Sequence, residues 1–200
     1  MYTQMSVAED FLQALEDFFG NNLVVTMGGE DPILYFDRSN PVQSRIWIRD
    51  AGNLSREDLS SKPGLAVDVG NSRAVHAAMG DLLTYNFFTA SETVLSQELV
   101  PVVIHCCSEI RDEAQKLARM AKMAILLMRP QLFETEAYNT IRFDTIGNAS
   151  MIQAGGPEDL RFDVPVLFSV SMHDSFTVRQ KEPVMAGVEV EVTQHTDGET

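Results

Sequence analysis

The chain has 200 residues, 44% of them hydrophobic, which is enough length for one packed core and too apolar for a disordered polymer. Its net charge of −14, from 15 Lys and Arg against 29 Asp and Glu, excludes a general grip on nucleic acid, which needs clustered cations at the phosphates; it permits a surface past which DNA slides. The two cysteines are the neighbours Cys106 and Cys107, so no disulfide framework staples the fold and no zinc spacing is present.

The first residues, MYTQMSVAEDF, are acidic where a signal peptide is basic. No apolar run reaches the roughly 18 to 20 residues that span a bilayer. The expectation is a chain made in the cytoplasm, with no membrane partner.

Ser6 and Glu9 have capping-box spacing, and Val7, Phe11, Leu15 and Phe18 share one helical face ahead of Gly20, which predicts a helix over 7–19. LVVTM (23–27) and ILYF (33–36) flank a Gly-Gly-Glu-Asp-Pro turn, and QSRIWIR (43–49) follows. These three segments read as an antiparallel meander. Residues 50–64 are rich in Gly, Asn, Ser, Asp and Pro and read as a long flexible loop, with a further strand over LAVDV (65–69). Residues 70–98 mix helical and extended signals.

LVPVVIHCCS (99–108) has strand spacing and runs into a helix expected over about 109–129, stopped by Pro130. Ile110, Ala114, Leu117, Ala121, Ile125 and Met128 form its core stripe. Arg111, Gln115, Lys116, Arg119 and Lys122 take the opposite side. Beyond Lys122 that side passes to Met123, Leu126 and Leu127, so the second half is apolar all round and calls for cover from its own chain or from another subunit.

TIRFDTI (140–146) and ASMIQ (149–153) flank Gly147-Asn148, a dipeptide suited to a tight hairpin turn. Val164, Val166, Phe168, Val170 and Met172 alternate with polar residues in a long strand over 161–179, which predicts one dry and one wet face. A second arm over 184–192 is placed to pair with it, and an acidic tail near 193–200 reads as frayed. The fold class expected is α+β, a mainly antiparallel sheet packed against the central helix with the N-terminal helix beside it. One domain covers 1–200.

The candidate chemistry is thin. His105 and Cys107 stand two apart on a strand and project from one face, a spacing open to a Cys-His nucleophile pair or half a metal site, although burial in a strand accounts for it as well. His173, Asp174 and Ser175 contain the residue types of a hydrolytic triad, but neighbours on a strand alternate faces and form no relay. Nucleophile-elbow, phosphate-loop and dinucleotide fingerprints are missing. Carboxylates Glu109, Asp112 and Glu113 early in the long helix and cations later complement its dipole. No catalytic, metal-binding or cofactor-binding residue is therefore assigned, and no cofactor. Phe87 and Phe88, beside turn-forming residues, are candidates for an exposed anchor. The enzyme alternative is a small cytosolic one with a pocket between sheet and central helix using His105 and Cys107; a third is an adaptor docking through Phe87 and Phe88.

From Gly80 onward the order of features resembles a known group. GDLLTYNFF (80–88), the strand VPVVIHC (100–106), the helix EAQKLARMAKMAIL (113–126) and the strand DVPVLFSVSM (163–172), in the order strand, long helix, hairpin and late long strand, are similar in arrangement to the tail-terminator and neck proteins of tailed bacteriophages. The N-terminal helix and meander are additional to the smaller terminators. The resemblance implies a structural virion protein without an active site: a homomeric ring, often a hexamer, that caps the tail tube, docks to the head connector or stopper and lets DNA pass without specific binding. It implies assembly in the host cytoplasm and residence in the virion neck. The subunit interface would use Met123, Leu126, Leu127, Phe87 and Phe88.

Overall fold

A computed structural model describes residues 4–20, 34–40, 42–54, 62–75, 82–86, 91–134, 138–153 and 160–179. The fold is α+β. In chain order the elements are α1 (Gln4–Gly20), β1 (Trp47–Asp50), β2 (Gly64–Val69), β3 (Arg73–Val75), β4 (Leu82–Asn86), β5 (Ser91–Ser108), α2 (Arg111–Phe133), β6 (Tyr138–Ile146), β7 (Ser150–Gln153) and β8 (Leu160–Arg179). The chain divides into two compact units, Met1–Val75 with Gln97–Asp174, and His76–Ser96 with Ser175–Thr200.

In the first unit the strands run β1-β2-β5-β8-β6, with β3 beside β5 and β7 beside β8. β1 and β2 are parallel. β2 and β3 are antiparallel to β5, as β6 and β7 are to β8. Between β5 and β8 the contacts Gln97–Ser171 and His105–Asp163 run in opposite senses along the two strands, as in an antiparallel pair. In the second unit β4 pairs antiparallel with Ser91–Val94, with a register shift between Leu82 and Thr84.

Alternation divides the sheet into two faces. Val100, Val102, Ile104 and Cys106 of β5 and Val164, Val166, Phe168 and Val170 of β8 are buried in one core with both helices, as period-two patterning requires. α1 contributes Val7, Phe11, Leu15 and Phe18, all essentially inaccessible. The Phe168 ring is the centre of that core, edge-on to Phe11 at 5.9 Å and to Phe143 at 5.8 Å. Tyr138 of β6 donates its hydroxyl to Asp10 of α1 at 2.7 Å, and burial raises its pKa above the ordinary tyrosine value.

Prolines on the two long strands decide where their neighbours break. Pro101 on β5 cannot donate to a ladder, but its carbonyl accepts from the Gly70 N–H at 2.9 Å, just where β2 ends and before β3 begins. Pro165 on β8 repeats the arrangement with Gly147 at 2.7 Å, between β6 and β7. A Cβ on either glycine would approach the proline Cγ to 2.8 or 2.7 Å, so each proline ring occupies the space that a side chain would need.

Several expectations are corrected. Gly147-Asn148 makes no hairpin turn: β6 and β7 both pair with β8, so the chain runs on past the interruption instead of reversing. The antiparallel meander does not form as expected, because 34–36 is irregular and β1 pairs parallel with β2; the 23–27 strand lies outside the described residues. Tyr35 carbonyl accepts from Arg45 and Ile46 instead of continuing a ladder. Within 50–64, Ala51–Asn53 forms a 3-10 turn capped by the Asp50 carboxylate, which accepts from Gly52 N–H; 55–61 lie outside the described residues, as do the arm at 184–192 and the tail at 193–200.

The helix limits also differ. α1 begins at Gln4 and so contains Ser6 in place of being capped by it. α2 starts at Arg111, with Ile110 extended at its N-cap and 62% exposed, outside the core stripe assigned to it. Pro130 does not end α2, which continues to Phe133. The hydrogen bond lost at Pro130 is the one to the Leu126 carbonyl. Both residues lie on the exposed face, while buried Leu132 holds the last turn onto the core.

Candidate functional site

Two surfaces carry chemistry that the core does not use. The first is the solvent side of α2. Its inner face is buried mainly through small side chains, Ala114, Ala118, Ala121 and Ala124, with Leu117, Ile125 and Leu132 between them. Two large apolar side chains of the second half, Leu126 and Leu127, point the other way. Leu127 is 56% exposed, Leu126 38% exposed, and Met123 half-buried. The side chains expected to lack cover on one helix are thus brought together on one stripe. Phe87 and Phe88, assigned to the same interface by resemblance, lie outside the described residues.

The second surface is the sheet face turned away from the helices, near the C-terminal end of β5. Cys106 points into the main core, so His105 and Cys107 point to the opposite face, where Cys107 packs with Trp47 and Ala66. The pocket expected between sheet and α2 therefore does not contain this pair; that space is filled by the hydrophobic core. His105 Nδ1 lies 2.9 Å from Asp163 Oδ2 on β8, and Cys107 Sγ lies 4.0 Å from Asp163 Oδ1. One carboxylate thus faces both residues.

The electrostatics follow from that carboxylate and from burial. The hydrogen bond to Asp163 raises the His105 pKa above its ordinary value, with burial opposing, so the imidazolium is favoured. Burial pushes the Cys107 thiol up to about 12, with Asp163 adding and Arg161 opposing. Cys106 is raised by burial as well. At neutral pH both sulfurs are thiols, without the thiolate character of an activated nucleophile.

Arg161 extends the same row, two residues from Asp163, and is fully buried. It donates through Nη2 to Glu109 at 3.2 Å and through Nη1 to the Lys62 carbonyl at 3.3 Å. Glu109 is 61% exposed, so the cation is dry and its carboxylate wet. Trp47 Nε1 donates to the same Lys62 carbonyl at 3.0 Å, and Lys62 Nζ donates to the carbonyls of Val42 and Ser44 at 2.8 and 2.7 Å. The indole of Trp47 lies across Gly64, where a Cβ would overlap it at 2.0 Å. Ser108 accepts from Ile110 N–H and donates to Glu113, which ties the start of α2 to the end of β5. These contacts pin strand ends and the strand-to-helix corner.

Sequence reasoning found His105 and Cys107 but missed Asp163 and Arg161. The available signal was Arg161 and Asp163 at a two-residue spacing on a strand, matching His105 and Cys107. His173, Asp174 and Ser175 stay within the extended backbone of β8; their side chains lie outside the described residues. Among the described residues no group of three or more His, Cys, Asp or Glu is placed to hold a metal ion, and no helix is long and apolar enough to cross a membrane. A shallow groove between the helices, lined by Asp10, Gln13, Ala14, Met128, Gln131 and Leu132, contains none of the assigned site residues. Compared with known proteins, the chain matches no family model and no curated sequence.

Proposed function

We propose that the chain is a structural subunit of a tailed-phage neck, a tail-terminator-type protein whose copies form a homomeric ring. The ring caps the tail tube, joins it to the head connector and leaves a passage for DNA. One observation carries this reading: Leu126 and Leu127 stand on the exposed side of α2 while the opposite side is already sealed into the core by four alanines with Leu117, Ile125 and Leu132. Exposed leucines that the fold has no use for are accounted for by a subunit contact. Two further features agree with it. The order of long strand, long helix and late long strand keeps three of the four features on which the resemblance stands, the hairpin between helix and late strand being the one that does not form, and the charge of −14 suits a wall past which a duplex moves.

Electron microscopy of the purified full-length chain tests the proposal directly. Annular particles with a central opening are expected, often of six copies, able to bind the end of a tail tube. A chain that stays monomeric at high concentration and is absent from purified virions overturns it.

A further inference from the structure

The cationic side chains are spread unevenly. Five of the fifteen, Arg111, Lys116, Arg119, Lys122 and Arg129, fall within α2, beside two of the 29 carboxylates, Asp112 and Glu113. Five against two leaves +3 on the helix, and ten against twenty-seven leaves −17 on the remainder. Arg111, Lys116, Arg119 and Arg129 are exposed. Lys116, Arg119, Met123, Leu126 and Leu127 follow one another at helical spacing, so the solvent stripe of α2 passes from basic to apolar along its length.

We infer that this stripe is one half of a head-to-tail contact between copies of the chain, and that the other half is a different, acidic surface of the neighbouring copy. The inference rests on the ring reading only in taking a second copy as the occupant. Charge complementarity selects that occupant. A copy carries −17 outside α2, whereas two α2 helices related by a two-fold axis would set +3 against +3. Nucleic acid or an anionic membrane is attracted to the stripe but repelled by the chain's overall −14.

A contact between two unlike patches is heterologous, and it either closes into a ring or runs on as a filament. Its two parts respond differently to conditions. The Lys116 and Arg119 portion is screened by salt, while the Leu126 and Leu127 portion is buried by the hydrophobic effect and persists in salt.

Light scattering of the full-length chain over a concentration series, at about 0.05 M and about 0.5 M NaCl, reads the contact. Arg119→Glu is expected to weaken association roughly tenfold at low salt, less at high salt, and Lys116→Glu to act in the same direction. Arg73→Glu changes the net charge equally at an exposed residue of β3 and is expected to leave association within about twofold. Equal responses of Arg119→Glu and Arg73→Glu overturn the inference. So does a wild-type assembly that stops at a two-fold dimer, or Arg119-dependent sedimentation with phosphatidylserine vesicles or duplex DNA in place of self-association. A wild-type chain that is monomeric throughout removes the ring reading too, whereas assembly indifferent to Arg119 removes only this contact.

Discussion

α1 turns its bulk inward: Phe11, Leu15, Phe18 and Phe19 are all buried in the core. α2 contributes to the same core through Ala114, Ala118, Ala121 and Ala124, with Leu117, Ile125 and Leu132 between them, and carries Leu126 and Leu127 outward. A buried phenylalanine or leucine contributes about 1.5–3 kcal/mol, against about 0.8 kcal/mol for one CH2 group. The first helix is held mainly by its own large side chains. The second is seated by alanines with Leu117, Ile125 and Leu132 between them and leaves Leu126 and Leu127 on the surface, so two helices of one core divide their large apolar side chains differently.

The largest test of that contrast is at the aromatic centre. Phe168→Ala removes the ring between Phe11 and Phe143 and is expected to cost about 3–5 kcal/mol in urea unfolding; a loss below about 1 kcal/mol would mean that the α1 side of the core repacks freely. The next is on α2, where size has opposite consequences on its two faces. Ala121→Leu should destabilise by about 1–3 kcal/mol through overpacking, while Leu127→Ala should stay within about 0.5 kcal/mol of wild type in dilute, unassembled protein. Similar costs at both positions would erase the distinction between the faces.

The smallest effect concerns the sheet's other face and is a slope with pH. His105 has a raised pKa in the folded chain, so its contribution to stability is fully present below its ordinary value of 6.5 and is lost as pH rises through the folded value. His105→Gln keeps a donor toward Asp163 but does not titrate. Urea midpoints of the variant should therefore fall less than those of wild type as pH rises above 6.5; parallel curves would assign the slope to another group.

Much of this organisation was legible in one dimension. The apolar stripe of α1, the helix of α2 with its uncovered second half and the alternation along β8 follow from periodicities of 3.6 and 2, which depend only on local backbone geometry. Strand partners were not legible, because pairing is a choice among distant segments. The Gly147-Asn148 dipeptide has the composition of a turn, yet Pro165 across the ladder turns it into an interruption along one strand.

What the sequence by itself determined is the dry face of α1 and of β8, the dry stripe of α2 apart from Ile110, and that the far half of α2 carries apolar side chains on every side. Only the tertiary structure decided which large side chains were needed inside. It also brought His105 and Asp163 within 2.9 Å across 58 residues of chain, and it sealed Arg161 while leaving Glu109 wet. The physical reason is range: helical and strand periodicity is set by neighbours a few residues away, whereas burial and ion pairing depend on which distant segment the folded chain places alongside.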